Sequence, residues 1–245
     1  MQMKWTYYFK EPVMNILRTI ISAVAGVALL AGCAVGSDGV SESAATGVQS
    51  ATLPYDHWRF DFVYPKNLPA IVTAASVHYL NGDSIFFPRI DPTEPSNRSV
   101  GRWSPTIGGI GAHFNKGDAL PANMRLCWDS VIDKKAYETV IWFGSDTWKQ
   151  MTTRYIDNTH PNKSFWRNYL VIGFAPGGVV RVWMSNQGDP AVLQSGAKIT
   201  TVSGDKRKIC SSINSRIDFN YTIPDGYDQF IKDFIKDKSY PYGEW

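Results

Sequence analysis

The chain has 245 residues, 44% hydrophobic and 19% charged, with 20 Gly, 14 Pro and 3 Cys. That composition excludes a disordered tail, a collagen-like repeat and a disulfide-dense mini-scaffold, and the length suits one domain with a full core. Of 25 Lys+Arg and 22 Asp+Glu, residues 1–33 hold Lys4, Lys10, Arg18 and Glu11, leaving 22 basic against 21 acidic residues downstream. So neutral a body has no electrostatic footprint for nucleic acid.

The run from Ile20 to Ala31, IISAVAGVALLA, is apolar and uncharged. It is too short for a bilayer core, which needs about 20 such residues. It suits the core of a secretory signal, with Lys10 and Arg18 on the cytoplasmic side. Met14 begins MNILRT, a more usual start for such a signal, so residues 1–13 read as an upstream extension. Leu30-Ala31-Gly32-Cys33 follows the run directly and resembles the lipobox of bacterial lipoproteins. The resemblance implies cleavage ahead of Cys33, a diacylated thiol and an acylated amino terminus. Several acyl chains make such an anchor effectively permanent. The other reading is a plain cysteine in a tail anchor. Ala34 stands where an Asp would signal inner-membrane retention, which favours the outer membrane, facing the periplasm.

Residues 34–52 are small and polar, with no aromatic, Leu or Ile, and read as a flexible tether. The chain therefore divides into a lipoprotein signal peptide (1–32), a lipid-anchored tether (33–52) and one strand-rich domain (53–245).

Residues 57–64 put Trp58, Phe60, Phe62 and Tyr64 on one face and His57, Arg59 and Asp61 on the other, the pattern of a half-buried strand. Residues 71–80 and the glycine-rich 107–114 are weaker strands. Met124–Ile132 and Ala136–Phe143 are two more, joined by Asp133-Lys134-Lys135. Ser145 is an N-cap candidate for a short helix running to about Tyr155. Residues 168–174 are apolar on both faces, as in a central strand, and Ala175-Pro176-Gly177-Gly178 turns them into Val179–Met184. Pro224 opens a carboxyl-terminal helix with Tyr227, Phe230, Ile231, Phe234 and Ile235 at i, i+3, i+4, i+7 spacing. The expected class is mainly β (α+β): a curved antiparallel sheet or β-sandwich with a short mid-chain helix and a carboxyl-terminal amphipathic helix.

Cys127 and Cys210 form either a disulfide, which an oxidising compartment permits, or two unpaired buried thiols. Neither these thiols nor the scattered His57, His78, His113 and His160 have metal-ligand spacing, and no cofactor is implied. Gly82-Asp83-Ser84-Ile85 is similar to the Gly-Asp-Ser block of a lipase and esterase family, and Asp157-x-x-His160 to its Asp and His pair. That resemblance would make Ser84 the nucleophile, His160 the base and Asp157 its orienter. Against it, 85 residues follow His160, where the family places this pair near its end. The plainer reading is an Asn81-Gly82-Asp83 hairpin turn and a loop histidine, and we expect no enzyme. Lys206-Arg207-Lys208 marks a solvated turn, with contact to anionic headgroups as its other use. Trp103, Trp148, Trp166 and Trp245 lie in or beside loops or ends, and an exposed aromatic patch is what a protein-binding surface needs.

The lipobox, the tether, the Trp58 strand, the Cys127-Trp128 strand and above all the APGG–VxVW hairpin, residues 172–183, resemble a group of gammaproteobacterial lipoproteins known only as a domain of unknown function. These are similar in layout to envelope lipoproteins encoded beside type VI secretion effectors, notably phospholipases. The resemblance implies an immunity protein that binds and neutralises such an effector. It carries no catalytic residues. A structural or accessory envelope lipoprotein is the alternative.

Overall fold

The computed structural model describes residues 52–213, apart from 101–102, 105–106, 108–110, 158–159 and 187–188, together with Gln229, Asp233 and Lys236. All of these belong to one compact unit, Val48–Trp245. The signal peptide, the box Leu30-Ala31-Gly32 with Cys33, and the tether up to Ala51 lie outside the described residues. So does the helix expected from Pro224, apart from Gln229, Asp233 and Lys236; the Gln229 amide donates to Asp233 at 2.9 Å. Among the described residues no helix is long and apolar enough to cross a membrane.

The protein is mainly β. In chain order the strands are β1 (Trp58–Lys66), β2 (Ala70–Tyr79), β3 (Ser84–Phe86), β4 (Thr93–Val100), β5 (Lys116–Gly117), β6 (Pro121–Ser130) and β7 (Lys135–Trp142). Helix α1 (Ser145–Thr152) follows, then β8 (Arg154–Ile156), β9 (Ser164–Trp166), β10 (Tyr169–Ala175), β11 (Val179–Asn186), β12 (Asp189–Leu193) and β13 (Lys198–Ser203). They build one sheet in the order β12-β11-β10-β1-β4, with β5 also on β1, and a second in the order β13-β7-β6-β2-β3. β8 and β9 pair by themselves.

The alternation in β1 points Trp58, Phe60 and Phe62 into a core shared by both sheets. Phe174 of the first sheet meets Trp128 of the second at 5.0 Å between ring centroids, and Tyr137 stacks on Trp128 at 4.5 Å. Each fully buried side chain of this size contributes about 2–3 kcal/mol, so this aromatic spine is what joins the sheets. The other face of β1 is also covered: Val63 packs with Val171, Trp183 and Ile107 in a second cluster. Burial on both faces explains why β1 is central.

An all-antiparallel sheet describes only the second layer. In the first, β1 runs parallel to both β10 and β4, because the chain leaves for the second sheet before each return. The strand expected over 107–114 is absent from its described residues. The backbone donors of Gly111–Asn115 are taken by side chains. Helix α1 ends at Thr152 because Tyr155 enters β8. Its cap is Gly144, not Ser145, and the Gly144 carbonyl accepts the N–H groups of Thr147 and Trp148 at 3.1 and 3.3 Å. β10 and β11 form the hairpin, with Gly177 and Gly178 at φ +79° and +77°. A side chain at Gly178 would also sit 2.9 Å from the Tyr137 ring.

Candidate binding surface

The segment Gly111–Asn115 has no strand partner, yet its backbone donors are satisfied. Asp91, 6% exposed, accepts the N–H groups of His113, Phe114 and Asn115 on one carboxylate oxygen, each at 3.0 Å. Its own N–H donates to the Asn115 side-chain oxygen at 3.0 Å. Asp61, buried in β1, accepts the Tyr169 hydroxyl and the Gly111 N–H. The Tyr169 oxygen accepts the Ala112 N–H at 3.0 Å. Burial, and then the bond to Asp61, hold the Tyr169 hydroxyl above its ordinary pKa.

Successive N–H groups curled around one anion form a nest, and here the protein's own carboxylate fills it. The consequence is outward. His113 and Phe114 are exposed, with Phe114 half open to solvent, while their backbone is fastened at five consecutive residues. The Arg89 guanidinium lies 5.6 Å from the Phe114 ring centroid. An aromatic side chain beside an arginine, on backbone that need not be ordered on binding, is the composition of an interface anchor.

The outer face of the second sheet carries another fixed feature. Cys127 and Cys210 are joined by a disulfide, with Cα atoms 5.5 Å apart. Glu138, opposite Cys127 in register, accepts the backbone N–H groups of Lys208 and Cys210 at 2.8 and 2.9 Å. The Lys206–Lys208 run is thereby pinned over this face.

The hydrolase-like residues are not brought together. Ser84 sits in edge strand β3 opposite His78, and Asn81-Gly82-Asp83 makes the turn, with Gly82 at φ +91° and Asp83 N donating to the Asn81 side chain at 3.1 Å. Asp157 and His160 do meet, at 3.2 Å, in the loop between β8 and β9. Ser84 lies in a different sheet from the β8–β9 pair that carries them. His57 accepts from Arg59 at 3.3 Å. Among the described residues no group of three His, Cys, Asp or Glu could hold a metal.

A shallow depression of about 280 Å³ lies between α1 and the Leu193–Gly196 turn. Gln194 beneath it is engaged within the fold, accepting from Thr147 at 2.9 Å and donating to the Val192 carbonyl at 3.0 Å. Three of the tryptophans expected in or beside loops serve the fold, with Trp148 inside α1 and Trp166 at the end of β9. Trp103 packs on Trp183 at 5.1 Å, Trp166 on Tyr55 at 5.9 Å, and Trp148 donates to the Pro121 carbonyl at 2.8 Å. Trp245 lies outside the described residues. Among the described residues the large exposed aromatics are instead Phe86, Phe114 and Trp142, none of which stands out in the sequence. Phe114 carried one signal: it is a lone large aromatic just after Gly108, Gly109 and Gly111, flanked by His113 and Asn115.

A family model described as a protein of unknown function, DUF2931, matches residues 42–243. No curated protein and no solved structure matches the chain.

Proposed function

The chain belongs to the DUF2931 family of proteins of unknown function, and we propose that this member is a lipid-anchored binding protein facing the periplasm. In the sharpest form of this reading it is an immunity protein that occludes a type VI secretion effector of the phospholipase class and performs no catalysis of its own. The Leu30–Cys33 box, the polar tether and the likeness of the APGG–VxVW hairpin to gammaproteobacterial envelope lipoproteins support the address. An anchor at Cys33 would confine the binder to the layer a lipase attacks and raise its effective concentration there.

The observation that carries the binding reading is the fastened loop, with Phe114 exposed, Arg89 beside it and the backbone already ordered by Asp91 and Asp61. Occluding an active site takes about 1,600 Å² of total buried surface and a few such anchors.

The test is capture by the purified lipoprotein of the secreted enzyme encoded beside it. Stoichiometric capture with loss of the enzyme's activity supports immunity. Capture of resident envelope proteins alone transfers the reading to an accessory envelope lipoprotein. Turnover of an ester by the protein itself, abolished by Ser84→Ala, would replace binding with hydrolysis.

A further inference from the structure

The second sheet has a solvent face that the binding loop does not use, since that loop leads into β5 on the first sheet. Across this face Lys198 pairs in register with Trp142. One row on, Arg125 stands opposite Ser76, which pairs with Phe86. The neighbouring residues Val77, Met124, Leu126 and Ile141 point into the core, so the alternation turns these side chains outward. The following row is Cys127 and Glu138, which hold the Lys206-Arg207-Lys208 run on the same side.

Five cations therefore share one face of a domain whose basic and acidic residues nearly balance. None of Arg125, Lys198, Lys206, Arg207 and Lys208 forms an ion pair among the described residues. Among the described residues the acids nearby are few: Glu138 is buried and engaged, Asp129 is buried, Asp205 and Asp83 lie in turns at the margin, and Asp146 opens α1 beside Gly196. Phe86, Trp142 and Ile209 are 59%, 47% and 46% exposed. Cations with exposed aromatic and aliphatic side chains on a broad, flat surface make an interfacial composition: charge meets headgroup phosphate, and the apolar groups sit at headgroup depth.

We propose that the outer face of the second sheet rests on the surface of an anionic lipid bilayer through these five cations, with Phe86, Trp142 and Ile209 entering the headgroup layer. The cations lie on β6, on β13 and on the pinned turn, with Phe86 beyond them on β3, so the charge is spread across the sheet face rather than lining a cleft. This face is separate from the Phe114 loop, so the proposal stands whether or not an effector is the partner.

The experiment is lysine acylation footprinting of the full chain on vesicles, read by mass spectrometry. Phosphatidylcholine vesicles are compared with vesicles of equal parts phosphatidylcholine and phosphatidylglycerol, so that any anchor is satisfied in both. Lys198, Lys206 and Lys208 should be modified roughly fivefold more slowly on the anionic vesicles. Lys66 and Lys163, exposed elsewhere, should be unchanged, and high salt should abolish the difference. In Lys206→Gln/Lys208→Gln, the protection of Lys198 should fall toward its value on neutral vesicles. Equal rates on both vesicles, or equal slowing of all five lysines, would overturn the proposal. Protection of the same lysines by an acidic protein on neutral vesicles would likewise overturn it.

Discussion

Glu138 accepts the backbone N–H of Cys210 at 2.9 Å, and Cys210 is bonded to Cys127, the residue opposite Glu138 across the β6–β7 pair. One carboxylate and one covalent bond thus hold the same turn to the same spot on the second sheet. Glu138→Ala would strand two N–H groups, those of Lys208 and Cys210. Hydrogen bonds to a charged acceptor contribute about 1.5–3 kcal/mol each, so a loss of about 3–6 kcal/mol is expected by urea unfolding. An unchanged midpoint would mean the disulfide alone holds the turn.

The disulfide closes a loop across 83 positions. In the chain-entropy account a loop of that length contributes about 4 kcal/mol. Cys127→Ala/Cys210→Ala should unfold at correspondingly lower urea, and adding reductant to the parent should reproduce most of that loss. A double variant as stable as the parent would contradict this.

Asp91 and Phe114 should separate stability from binding. Asp91→Ala removes the acceptor of three backbone donors and should cost about 2–4 kcal/mol of stability, weakening partner capture as the loop loosens. Phe114→Ala removes only an exposed ring and should leave the unfolding midpoint within about 0.5 kcal/mol of the parent. It should nevertheless reduce affinity by a factor on the order of 10–100, as loss of an anchor does. Equal effects on stability from both variants would show that Phe114 supports the fold.

Burial raises the hydroxyls of Tyr79, Tyr137 and Tyr169 above the ordinary value of 10.0, Tyr79 to about 12. The folded state therefore keeps protons that the unfolded chain releases near pH 10. Stability from these groups is whole below pH 10 and is lost as pH rises through 12. Thermal unfolding followed across that window should show a falling midpoint, and Tyr79→Phe should make the fall shallower. A flat profile would mean these tyrosines ionise freely in the folded protein.

Much of the fold was legible wherever burial follows a period. The alternation of Trp58, Phe60 and Phe62 located β1, and the apolar run at 168–174 located a central strand. Partner choice was not legible: nothing local in β1 tells that β10 and β4 run parallel to it, since pairing depends on crossovers through the other sheet. The β8–β9 pair escaped notice because three-residue strands have too few positions for a period. The candidate surface was hidden for a related reason. Asp91 acts 22 to 24 positions away, on the backbone of residues 113–115. A carboxylate that binds backbone N–H groups leaves no pattern in the residues it binds. The pinned Lys206–Lys208 run read as an ordinary turn because its holder, Glu138, is some 70 positions earlier.

The most direct test of the binding account is calorimetric titration of the purified lipoprotein with the neighbouring secreted effector, with the effector's phospholipase activity measured on the same samples. The account predicts saturable one-to-one binding that extinguishes activity, with affinity lost in Phe114→Ala and retained in Ser84→Ala. No heat of binding and undiminished effector activity at saturating lipoprotein would contradict it.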